Sequence, residues 1–111
     1  MIKSICAGFP YKPVVGCFGY ASSIIIESSK TILFDTGGYN LREEIIKRLS
    51  TIDCVVISHL HFDHCSNLDL FVGTDIPIYI SKAEMEYYKK NKKNDCDLFS
   101  YFDFIKDNLN I

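Results

Sequence analysis

The sequence predicts a mixed α/β fold, and three observations predict it. Residues 22–27, which hold Ile24-Ile25-Ile26, and residues 31–35 are two apolar runs around the polar turn Glu27-Ser28-Ser29-Lys30, the pattern of a β-hairpin. Leu41, Ile45 and Leu49 then recur at helical spacing, so 41–49 is an amphipathic helix. Cys54-Val55-Val56-Ile57 is apolar at every position, as in a strand covered on both faces.

Taken in order, residues 2–7 alternate weakly and read as an opening strand, and Gly8-Phe9-Pro10-Tyr11-Lys12-Pro13 is a loop fixed by its two prolines. Asp35 closes the hairpin, and Gly37 and Gly38 let the backbone turn away at φ > 0. Asn40 and Glu43 read as the two ends of a capping box that opens the 41–49 helix. Beyond the strand at 54–58, residues 67–71 form a short helical turn that Gly73 ends. Residues 76–80 are another strand, with Pro77 at its start or on an edge. Ser81-Lys82-Ala83-Glu84 is a second capping box, and its helix runs to about Lys90. The lysines at 89, 90, 92 and 93 read as a solvated helix end in the favourable sense of the macrodipole, rather than as an anion site. Phe99, Phe102 and Ile105 lie at helical spacing in a segment too aromatic for a loose tail, and they need a surface to pack on.

The chemistry sits in His59-Leu60-His61-Phe62-Asp63-His64, which gathers all three histidines of the chain beside a carboxylate. An extended chain puts positions i and i+2 on one face, where a helix sends them apart. His59, His61 and Asp63 therefore converge at a strand end or in a loop. His64 breaks the alternation. A turn beginning near Asp63 would hand His59 and His61 to one cation and Asp63 and His64 to a second, roughly 3.5–4 Å away as in two-metal hydrolytic sites. Imidazole and carboxylate donors suit zinc, with iron or manganese as alternatives.

Val55-Val56-Ile57-Ser58-His59-Leu60-His61-Phe62-Asp63-His64 resembles the H-x-H-x-D-H metal motif of the metallo-β-lactamase superfamily. Ile32-Leu33-Phe34-Asp35-Thr36-Gly37-Gly38 is similar to that family's strand followed by Asp-Thr-Gly, and Ile52-Asp53 before the next strand also fits. The likeness covers about residues 14–85. Within the superfamily, residues 59–65 followed by Asn67-Leu68-Asp69-Leu70-Phe71 most resemble the N-acyl-homoserine-lactone lactonase-like branch, although Ser66-Asn67 stands where Gly-Gly is often found. The resemblance implies the N-terminal ββα half of a four-layered αββα sandwich whose second half supplies another His to each metal and a bridging Asp. It implies His59, His61, Asp63 and His64 as metal ligands, with Asp63 also the catalytic group that steers the nucleophile or the departing group's proton. Asp35 would sit behind the ligands and orient an imidazole through its ring N–H; by itself it reads equally as a turn residue ending a hairpin. The oxidoreductase branch typically carries Glu at the position of His61. The implied activity is therefore hydrolysis of a small ester, lactone or thioester by a metal-activated water.

No His follows His64, so this chain of 111 residues cannot complete a His-rich two-metal centre by itself. It reads as a truncated or split member of the family or an N-terminal segment. Alone it should be inactive or weakly active and hold at most one zinc, weakly, where a complete site holds two. A lone half would leave one apolar sheet face bare, inviting self-association or a complementary half. The competing reading is a non-catalytic remnant that binds a partner. A net charge of −2 offers no electrostatic footprint for nucleic acid or an anionic membrane, and no apolar run is long enough to span a bilayer. Five cysteines, an odd count with no C-x-x-C pair in a chain without a secretory signal, point to reduced thiols in a cytoplasmic protein. Cys54 belongs to the core. Cys65, next to the ligands, is either a thiolate ligand or redox-sensitive thiol, or a small buried side chain.

Overall fold

Ile24, Ile25 and Ile26 pair with Phe34, Leu33 and Ile32, and this antiparallel hairpin occupies the middle of the sheet. The computed structural model describes residues 2–6, 10–11, 18–19, 23–93 and 96–111, and the side chains of 23–93 and 99–111. The strands are β1 (Ile2–Cys6), β2 (Pro10–Tyr11), β3 (Phe18–Gly19), β4 (Ser23–Glu27), β5 (Thr31–Phe34), β6 (Cys54–Ile57) and β7 (Ile78–Ile80). The helices are α1 (Arg42–Arg48), α2 (Phe62–Cys65), α3 (Lys82–Asn91) and α4 (Cys96–Ile105). Strands β1, β4, β5, β6 and β7 form one sheet in that spatial order, while β2 and β3 pair separately. The mixed α/β class is as the sequence predicts. The proline loop reaches the described residues only at Pro10 and Tyr11, which are in β2; its remaining positions lie outside them.

Strands β5, β6 and β7 run parallel, so the chain must cross back between them, through α1 and then through α2 with a 3₁₀ turn at Leu68–Phe71. All three therefore end on the same edge. Asp35 follows β5, Ser58 and His59 follow β6, and Ser81 follows β7. Open α/β sheets place their ligand sites at the carboxyl ends of parallel strands, and here three such ends meet.

Lateral register puts Ile25, Leu33, Val55 and Ile78 in one row across the sheet, each at most 2% exposed. Leu41 from the turn before α1, Ile45 from α1, Leu68 and Phe71 from the 3₁₀ turn, Tyr88 from α3 and Phe99, Phe102 and Ile105 from α4 complete the same buried cluster. The aromatic segment thus packs inside the chain itself, with Phe99 and Phe102 rings 5.4 and 5.1 Å from that of Tyr88. It gives no support to a partner-binding remnant. Among the described residues no helix is long and apolar enough to cross a membrane.

Three local expectations change. Strand β6 is covered fully on one face only: Val55 and Ile57 are buried, while Cys54 and Val56 are half-buried. A 3₁₀ turn over Tyr39–Leu41 precedes α1, so Asn40 lies inside a turn and caps nothing; Gly38 O accepts from Leu41 N instead. Gly37 has positive φ (63°) as expected, but Gly38 does not (−87°), and Asp35 takes the other left-handed position at 57°. Gly73, at φ 76°, ends the 3₁₀ turn as expected.

Candidate metal centre

The apolar run of β6 ends at Ile57, and the next seven residues leave the sheet edge, first extended and then as the single turn α2. His59 and His61 precede that turn; Asp63 and His64 lie in it. The extended stretch brings His59 and His61 together with ring centroids 3.7 Å apart, and the helical turn returns His64 to 5.2 Å from His59. Asp63 Oδ2 is 3.6 Å from His64 Nε2. The four residues expected as ligands are neighbours in space.

The loop is held from below by a polar lattice. Thr36 donates its N–H to His64 O (2.9 Å), and Asn67 Nδ2 donates to the carbonyls of Thr36 and Gly38 at 3.0 and 2.8 Å. Asn67 is fully buried with φ −102°, an ordinary backbone conformation, so this loop has no need of glycine there. What Asn supplies instead is a side chain that ties the Asp35–Gly38 turn to the metal loop.

Asp35 accepts from Ser58 N at 2.7 Å, from Ser58 Oγ at 2.6 Å and from His64 Nδ1 at 3.1 Å. It is both a turn residue and the carboxylate behind an imidazole. Its bond to His64 raises that imidazole's pKa above the ordinary value, against the effect of burial. His61 goes the other way: burial, then the neighbouring His59, lowers its pKa. The neutral ring is the form that binds a metal. His61 Nε2 is buried with no hydrogen-bond partner, an orphaned acceptor or donor that a native interior rarely tolerates.

Glu84 was not legible as part of the site. Its Oε1 lies 2.9 Å from His59 Nδ1 and accepts from Leu60 N at 2.8 Å. The capping box is half-formed: Ser81 Oγ accepts from Glu84 N at 3.1 Å, but the carboxylate turns to the metal loop. Cys65 is fully buried and bonds the carbonyls of Leu60 and His61 through Sγ at 3.5 and 3.4 Å; burial pushes its thiol up to about 12. It is the small buried side chain, not a thiolate ligand.

The donor set fits a borderline divalent cation: three imidazoles, two of them with Nδ1 against a carboxylate, one carboxylate and an orphaned ring nitrogen. Among the described residues, however, no three such donors close on a common point. The chain offers the makings of a centre rather than a finished shell.

The chain matches the family described as Metallo-beta-lactamase superfamily over residues 15–109. An uncharacterized protein of Methanocaldococcus jannaschii is 34% identical over 80 residues, which are 68% of this chain and 31% of that protein. A candidate metallo-β-lactamase from Thermotoga maritima superposes with a TM-score of 0.68 at 18% identity, covering 96% of this chain and 54% of its own. The short form of human tRNase Z gives 0.53 at 20% identity, covering 88% and 42%. This chain therefore spans about a third to a half of these three proteins. These relatives do not single out the lactonase-like branch. With residues 15–109 matched, the chain belongs to the metallo-β-lactamase superfamily.

Proposed function

We propose that this chain supplies the metal-holding face of a hydrolase that cleaves a small ester, lactone or thioester with a metal-activated water. The observation behind it is that Asp35 and Glu84 hold the Nδ1 atoms of His64 and His59, which leaves both Nε2 atoms to ligate. His59 and His61 would hold one cation, Asp63 and His64 a second, with zinc the first choice and iron or manganese as alternatives. When bound, a divalent cation brings the pKa of water toward about 7 and polarises the scissile carbonyl. Asp63, whose side chain is 42% exposed against 34% for His59 and 26% for His64, would steer the nucleophile or pass a proton to the leaving group. A reducing cytoplasm is the proposed compartment, in keeping with Cys54 and Cys65 as free thiols.

A second reading, phosphodiester cleavage, is favoured by the likeness to tRNase Z. The net charge of −2 is no barrier to it, because Lys89, Lys90 and Lys93 are exposed together at one end of α3. The test is metal analysis after dialysis, followed by a panel of a lactone, a thioester, an aryl ester and a phosphodiester. At most one zinc per chain is expected, lost in His59→Ala and His61→Ala. Carbonyl-substrate turnover just above blank, abolished in the same variants, is also expected. Turnover of the phosphodiester alone would install the second reading, and two tightly held metals per monomer would overturn the expectation of an unfinished shell.

A further inference from the structure

We propose that Glu84 is a positioning residue for this centre: it fixes the ring of His59 so that Nε2 faces the cation, and it thereby joins the first turn of α3 to the metal loop. The assignment rests on His59 as a ligand. A carboxylate oxygen only accepts, so the contact of Glu84 Oε1 with His59 Nδ1 at 2.9 Å places the ring proton on Nδ1 and the lone pair on Nε2. The same oxygen takes the N–H of Leu60 at 2.8 Å, which fixes the backbone next to His59. The Glu84 side chain is 14% exposed, so water competes little for these bonds.

The device occurs twice in the site. Asp35, at the end of β5, accepts from Ser58 N and His64 Nδ1; Glu84, in the first turn of α3, accepts from Leu60 N and His59 Nδ1. Each carboxylate clamps one backbone N–H and one imidazole within residues 58–64. A role in the helix alone would call for something different. In a closed capping box the N3 carboxylate returns to the N-cap N–H, whereas here Ser81 keeps its half of the box and Glu84 leaves its half for the loop. An anionic acceptor behind a ligand imidazole fixes its tautomer and raises its basicity, and loss of such partners typically weakens metal binding about 10–100-fold.

The first measurement uses the wild-type, metal-free chain. Long-range proton–nitrogen NMR at alkaline pH should show His59 as the Nδ1–H tautomer, and the Nε2–H tautomer would overturn the proposal without any substitution. Zinc affinity is then read by competition with a chromophoric chelator. Glu84→Met, which keeps length and helix propensity but removes the acceptor, should weaken zinc about 10–100-fold and let the two His59 tautomers mix. Glu84→Gln retains an acceptor oxygen without the charge and should fall between, a partial rescue that a purely structural helix role would not give. Equal zinc affinity in wild type and Glu84→Met would sink this assignment alone. A wild-type chain that takes up no zinc would sink the metal reading and this assignment with it.

Discussion

Cys65 follows the ligand run directly, and burial decides its chemistry. With its pKa pushed up to about 12 and Sγ bonded to two carbonyls of the metal loop, roughly one molecule in ten thousand carries the thiolate at pH 8. Iodoacetamide should therefore leave Cys65 unmodified in the folded chain over an hour and alkylate it readily in urea, as peptide mass spectrometry would show. Alkylation in the folded chain at the rate seen in urea would mean that the loop opens far more than the buried cluster implies. The sequence could not choose between the two readings of Cys65, because spacing places a residue along the chain but not in depth. Asp35 is the opposite case: turn residue and imidazole partner looked like alternatives, and a left-handed φ of 57° combined with bonds to Ser58 and His64 makes them one role.

Among the elements, α1, the 3₁₀ turn after α2 and α4 share a polar contact as well as the buried cluster. Arg42 donates to both oxygens of Asp69 at 2.8 and 2.6 Å, and Tyr101 OH donates to Asp69 Oδ1 at 2.9 Å. The guanidinium holds the Asp69 carboxyl below the ordinary value, and Tyr101 adds to this. A depressed folded-state pKa contributes stability that is present in full above the unfolded value of about 4 and is lost as pH falls through the folded value. The Arg42 and Asp69 side chains are 34% and 38% exposed, so solvent screening keeps the contribution to about 1 kcal/mol. Asp69→Asn should thus be less stable than wild type to urea by about that amount at pH 7, with the gap closing as pH falls through the depressed carboxyl value; a gap that does not change with pH would assign the loss to packing rather than to charge. Periodicity made α1, α3 and α4 legible, since Ile45, Tyr88 and Phe102 are where a 3.6-residue repeat puts a buried side chain. The caps were harder to read. Asn40 has the right type and spacing, but the chain coming off Gly37 is already turning, and a local rule cannot see that.

For the whole molecule, the metal motif and the Asp-Thr-Gly segment were legible because each is contiguous, whereas Glu84 reaches His59 from 25 residues away and depends on three parallel strands ending at one edge. The same sheet also sets the last expectation. The row through Ile25, Leu33, Val55 and Ile78 is buried, but its alternate row, Ile24, Ile26, Ile32, Phe34, Cys54 and Val56, is half-buried among the described residues. A soluble protein seldom leaves a contiguous apolar face uncovered, and this chain matches about half of the Thermotoga maritima structure, 54% of it. In the isolated chain a second copy is the available cover; a complementary half would serve the same face. Size-exclusion chromatography with light scattering should report a dimer at about 100 µM that dissociates on dilution, because the driving force is burial of apolar area at about 25 cal/mol per Å² against the entropy of association. Ile26→Lys and Val56→Lys put a charge on the half-buried row without touching the buried one, so both should shift the chain to monomer while leaving its far-UV circular dichroism intact. A wild-type chain that stays monomeric at that concentration would show that this face is already covered.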